Sequence, residues 1–175
     1  MKKIIPIILC AIVFAIFLAF TPVLAEEENK EVELTPEQIG LIYMNCNSAK
    51  SQLKRLQTTD ARIRVNLGSD YNTLLTGFMT NLNIRLVKNN IKREDLIANQ
   101  SDFSTAVDKF KEDYISYSQA LDETIATSCK TDPDKFYREL EKTRAARKKL
   151  NEDYKKTNEI LNQHKAAVKE LMESL

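Results

Sequence analysis

The sequence predicts an all-α protein: an elongated antiparallel three-helix bundle, or coiled-coil hairpin, behind an N-terminal signal peptide. Three observations carry that reading. Only three glycines and four prolines occur in 175 residues, too few breakers for a β-sandwich or a βαβ array, which need turn residues about every ten positions. Apolar residues recur at steps of three and four over long stretches, the repeat that packs helices side by side. Charged residues make up 29 % of the chain and Trp is absent, a composition suited to long solvated helices with narrow apolar stripes.

The first 25 residues read as an address. Met1-Lys2-Lys3 is a basic start, and Ile4 to Phe20 is an apolar run broken only by Pro6. Thr21-Pro22 interrupts it, and Val23-Leu24-Ala25 offers a small-residue cleavage site just before Glu26-Glu27-Glu28. That order is the signature of a secretory signal peptide cut after Ala25; the alternative is an uncleaved anchor, because the run is only slightly short of a membrane span of about 20 residues. Cys10 sits in the apolar run, and Leu9 before it is too large for a lipoprotein site. Removing Lys2 and Lys3 turns the net charge from +1 to −1, so no basic field points to nucleic acid. Residues 26–34 form an acidic, unpatterned lead, and residues 35–175 form the bundle domain.

Thr35-Pro36-Glu37-Gln38 is a helix start: Thr35 caps, Pro36 suits the first helical position, and Gln38 completes a capping box. The stripe Ile39, Ile42, Cys46, Ala49, Leu53, Leu56, Asp60, Ile63, Leu67 follows, with Asp60 as its polar interruption. It continues through Tyr71, Leu74, Phe78, Met79, Leu82 and Leu86, so one helix is expected over about 36–88, with a bend near Gly68. A turn at Asn89-Asn90 and a connection to about residue 100 lead to a second helix over about 101–129. Asp132 and Pro133 then cap and open a third over about 133–175. Its heptad positions run Phe136, Leu140, Thr143, Arg147, Leu150, Tyr154, Thr157, Leu161, His164.

Two cysteines follow the signal segment, Cys46 and Cys129. An exported compartment is oxidising enough to join them, and a hairpin folded near residue 88 brings them level. Counting on from that clasp, Arg147 falls beside Asp60, the charged entries of the last and first stripes. They are expected to face each other as a polar layer that fixes register, the alternative being that each reaches solvent separately.

Little in the sequence points to catalysis. His164 is the single histidine, with no second ligand at metal spacing, and no nucleotide, hydrolase or metalloprotease motif occurs. The expectation is therefore a protein that is not an enzyme and holds no cofactor or metal. Two features mark a candidate interaction surface. Tyr71 to Ile84 contains no charge, presenting Tyr71, Leu74, Phe78 and Met79, unless the hairpin tip and the last helix cover it. The early last helix is locally basic through Arg144, Lys148 and Lys155, with interleaved acids that also suit a plain solvated face.

In signal peptide, small size and long helices the plan resembles exported coiled-coil proteins such as periplasmic holdase chaperones, which are markedly basic and lack this cysteine pair. The expected function is an exported, non-catalytic interaction or structural protein of the cell envelope or extracellular space, with a protein partner or self-association and no nucleic acid. A holdase, or a membrane-anchored spacer if the signal is uncleaved, is the alternative.

Overall fold

Thr35 opens the first helix as its sequence dictates. Its side chain accepts from the Gln38 amide at 3.3 Å while the Gln38 side chain accepts from the Thr35 amide at 2.8 Å, two otherwise orphaned donors satisfied reciprocally. The structure, a computed structural model, describes residues 33–174. The signal peptide and most of the acidic lead expected from the sequence lie outside these residues. Helix α1 spans Pro36–Asn72 and runs through a π-helical stretch, Thr73–Met79, into α2, Thr80–Lys88. Helix α3 spans Glu94–Ala126 and α4 spans Pro133–Ser174. The described chain is an all-α bundle in which α3 descends beside α1–α2 and α4 rises again along α3.

The hairpin tip is a Schellman cap. Asn90 adopts φ 56°, a left-handed conformation that Asn tolerates. The Ile91 amide reaches the Leu86 carbonyl at 2.9 Å and the Asn90 amide reaches that of Val87 at 3.1 Å. Arg93 clamps the tip to the far end of α4, donating to Asp95 at 2.7 Å, to the Ala167 carbonyl at 3.0 Å and to Glu170 at 3.4 Å. At the other end, Asp132 caps α4 by accepting from the Lys135 amide at 3.1 Å, with Pro133 in the first turn.

Two expectations are corrected. The second helix begins at Glu94 and not near residue 101, and it ends at Ala126. Glu94 and Asp95 favour the positive end of the helix, and Leu96 is fully buried against Leu86 and Leu171. The polar run that looked like a connection is instead a tip network: the Asn83 amide donates to Gln100 Oε1 at 2.6 Å, and the Gln100 amide donates to Thr80 Oγ1 at 2.9 Å. The irregularity of the first helix lies at Thr73–Met79 and not at Gly68. There the wider π turns take up extra residues from the longer arm.

The core comes in three tiers. The first surrounds the disulfide, with Leu53, Tyr114, Tyr117, Leu121 and Phe136. The second joins Tyr71, Met79, Phe103, Val107, Phe110 and Ile160, with Tyr71 edge-on to Phe103 and Phe110 at centroid distances of 5.6 and 6.0 Å. The third is Leu86, Leu96 and Leu171. Between α3 and α4 some layers are polar: Thr124 and Thr143 share a buried hydrogen bond of 2.9 Å. None of the described helices is long and apolar enough to cross a membrane.

Candidate functional site

Cys46 and Cys129 are joined, with Cα atoms 5.6 Å apart, and the bond holds the open end of the hairpin together. Above it, α3 packs along most of α4, whereas α1 meets α4 at few points. Arg64 on α1 and Arg144, Arg147 and Lys148 on α4 line the same stretch between the two helices, and like charges gathered there disfavour closer approach. The heptad stripe of α1 is only partly covered: Cys46 and Leu53 are buried, but Ile63 is 50 % exposed.

What remains is a groove between α1 and α4. Its upper part has a volume of about 670 Å³, with an apolar and aromatic floor of Ile63, Leu67, Phe110, Tyr114, Leu150 and Tyr154. The rim there is cationic: Arg64, Arg144, Arg147 and Lys148, against the single carboxylate of Asp60. Its lower part, about 730 Å³, runs towards the disulfide past Leu53, Leu56, Phe136 and Leu140. Asp60, Ile63, Arg144 and Arg147 line both parts.

One strap crosses the groove at that shared level. Arg147 Nε donates to Asp60 Oδ2 at 3.3 Å, and the Tyr117 hydroxyl donates to the same oxygen at 2.7 Å. The Asp60 side chain is 14 % exposed and that of Arg147 52 %, so the contact lies at the mouth of the bundle and not inside it. Burial first, and then the hydrogen bond to Asp60, push the Tyr117 phenol well above its ordinary value, keeping it a donor. Arg64 covers the face of Tyr114 at 4.9 Å from the ring centroid, which holds its cation over the groove. Arg144 is also bridged outward to Glu141. Lys148 forms no ion pair among the described residues.

The residues singled out as a candidate interaction surface are not brought together. Tyr71 and Met79 are core residues, 3 % and 1 % exposed, and this is a correction. Eight residues of plain α-helix would turn Met79 about 80° away from Tyr71, whereas the π turns between them return both to the core. Phe78 is exposed and Leu74 half-buried; both border a separate depression beside Leu161 and His164. Arg144 and Lys148 stand on the groove rim, and Lys155 is exposed farther along α4. His164 is buried, its Nδ1 has no hydrogen-bond partner, and burial holds it below its ordinary value.

A carboxylate pair on the α3–α4 seam escaped the sequence reading. Asp113 is buried and bridged to Lys109 on its own helix and to Lys149 on α4 at 3.0 Å. Burial works to raise its carboxyl, but the ammonium groups of Lys109 and Lys149, with Asp153 beside it, more than offset that and hold it at about 2. Asp153 is pushed up, first by burial and then by Asp113 beside it. Both stand at core spacing, Asp113 between Phe110 and Tyr117 and Asp153 between Leu150 and Thr157, so the three- and four-residue steps that mark the apolar stripes could have found them had charged entries been followed there as they were at Asp60.

Among the described residues no group of three His, Cys, Asp or Glu side chains is placed to hold a metal ion. The chain matches no protein-family model, and its comparison with curated proteins and with solved structures gives no significant match.

Proposed function

We propose that the chain is an exported, non-catalytic binding protein of the cell envelope or extracellular space, and that the groove between α1 and α4 is its binding face. The observation that carries this reading is the groove itself. Ile63 and Tyr154 stay exposed on an apolar and aromatic lining between the helices, with four cations beside them. Sites that take a ligand combine such a concave apolar floor with a few placed polar groups. The single carboxylate in it, Asp60, is already engaged by Tyr117 and Arg147, which supports binding over chemistry. The Cys46–Cys129 bond supports an oxidising compartment, as does the signal-like segment ending at Ala25.

The test has two arms. Intact mass of the protein from its native host, alkylated without reduction, is expected to begin at Glu26 and carry no alkyl group. A photo-crosslinking residue placed at Ile63 is expected to give adducts in the host that the same residue at Ile115, exposed outside the groove lining, does not. A cytoplasmic protein with two alkylated thiols, or equal adducts from the two positions, overturns the reading.

A further inference from the structure

We infer that the occupant of the groove is a single-chain anionic amphiphile: one phosphate-type head held by Arg64, Arg144, Arg147 and Lys148, and an alkyl tail lying on the aromatic floor. The inference rests on the reading of the groove as the binding face and names what fills it.

The charge is concentrated, not spread. Arg144, Arg147 and Lys148 are related by three and four residues, so they share one face of α4, and Arg64 lines the same section of groove from α1. Four cations around one level, countered by Asp60 from within the groove and by Glu141 on Arg144 from outside it, leave an excess that suits a compact anion of one or two charges. An acidic partner helix would instead meet cations distributed along its length. Arg147 spends only its Nε on Asp60. Its two terminal nitrogens have no partner among the described residues and can fork onto head-group oxygens, the geometry in which guanidinium binds phosphate strongly.

Size points the same way. The upper groove, about 670 Å³, falls within the ~300–1,000 Å³ range of small-molecule sites. A helix about 10–12 Å across would have to lie over the Asp60–Arg147 strap. An alkyl chain is thin enough to lie on Ile63, Leu67, Phe110, Leu150 and Tyr154, and it would cover the two side chains there that are left most open, Ile63 and Tyr154. Each methylene buried from water adds about 0.8 kcal/mol, so head and tail contribute separately and can be tested separately.

Calorimetric titration of the disulfide-intact protein purified from its host, with dodecyl phosphate kept below its micellar concentration, is the experiment. One equivalent is expected to bind, and dodecyl maltoside and inorganic phosphate are each expected to bind at least tenfold more weakly. The Arg144→Ala/Lys148→Ala variant, which changes exposed side chains, is expected to lose dodecyl phosphate affinity at least tenfold. The Lys155→Ala/Lys156→Ala variant removes the same charge outside the groove lining and is expected to leave it unchanged. Equal binding of the maltoside, equal losses in the two variants, no binding below the micellar concentration, or tighter binding of an acidic amphipathic peptide would each overturn the assignment. If dodecyl phosphate fails while Ile63 still gives groove-specific adducts in the host, the occupant assigned here is wrong and the binding face stands.

Discussion

Arg147 and Asp60 meet across the mouth of the bundle, Nε to Oδ2 at 3.3 Å, on the oxygen that also accepts the Tyr117 hydroxyl at 2.7 Å. The two contacts differ in worth. Arg147 is half exposed, and pairs of that kind contribute only about 0.2–1 kcal/mol. Tyr117 is 1 % exposed, and a buried hydroxyl left without its acceptor costs about 1–3 kcal/mol. Asp60→Ala is therefore expected to destabilise the protein by about 1–3 kcal/mol, and Arg147→Leu by less than about 1. In urea unfolding, Asp60→Ala combined with Tyr117→Phe should recover part of the Asp60→Ala loss. Strict additivity of those two substitutions would falsify the assignment of the cost to Tyr117.

The disulfide spans 83 residues of sequence. Closing a loop of that length restricts the unfolded chain by about 4 kcal/mol in the entropy model, a large share of the stability of a thin bundle. The Cys46→Ala/Cys129→Ala protein is expected to melt well below the oxidised parent and to be indifferent to reductant, with the reduced parent close to it. A melting temperature unmoved by reductant in the parent would remove the clasp from the account of stability.

Elements set by local chemistry were legible in the sequence. Thr35 with Gln38, and Asp132 with Pro133, mark helix starts because caps are formed by residues within one turn. Asn90 marked the tip for the same reason. What depended on distant partners was not legible. The early start of α3 rests on Leu96 packing against Leu171 and on Gln100 meeting Asn83 and Thr80 from another helix. The groove was hidden because an apolar stripe looks the same whether a neighbour covers it or not. Ile63 resumes the α1 pattern after Asp60, at the same spacing as the buried Leu53, and nothing in that spacing tells that α4 leaves it open.

Tyr71 and Phe78 make that distinction measurable, since both belong to the same uncharged stretch of sequence. Tyr71 is wedged edge-on between Phe103 and Phe110, whereas Phe78 is 64 % exposed. Truncating an aromatic residue in a packed core costs about 3–5 kcal/mol, and surface changes stay within about 0.5. Tyr71→Ala is thus expected to lower stability by about 3–5 kcal/mol, and Phe78→Ala to be nearly neutral. Chemical denaturation of the two variants side by side settles whether the π turns direct these side chains as described.

His164 gives the mild-acid limb of the pH profile. Burial holds its imidazole below its ordinary value of 6.5, with Asp95 opposing weakly, so the unfolded chain takes up this proton first. Stability attributable to His164 is then present above pH 6.5 and is lost as the pH falls below it. His164→Leu, which keeps an apolar filling, is expected to flatten the melting temperature between pH 7 and pH 5. An unchanged slope in that variant would place the acid sensitivity elsewhere.

Asp113 and Asp153 act at lower pH and in opposite senses. Asp113, held at about 2 by its lysines against an ordinary 3.8, contributes stability that is present above about pH 4 and is lost as the pH falls towards 2. Asp153 is raised, so the folded state prefers its protonated form, and its charge beside Asp113 costs stability once the pH exceeds that raised value. Asp153→Asn keeps the shape and a hydrogen-bond donor towards Asp113 while removing the second charge. It is therefore expected to raise the melting temperature at pH 7, with the gain shrinking towards zero at pH 4, where the natural carboxyl is itself becoming protonated. Asp113→Asn is expected to do the reverse at pH 7, because it strips Lys109 and Lys149 of their shared partner. Melting curves of both variants at the two pH values check the sign of each. A loss at pH 7 for Asp153→Asn would mean that Lys149 pairs with Asp153 strongly enough to outweigh the repulsion from Asp113.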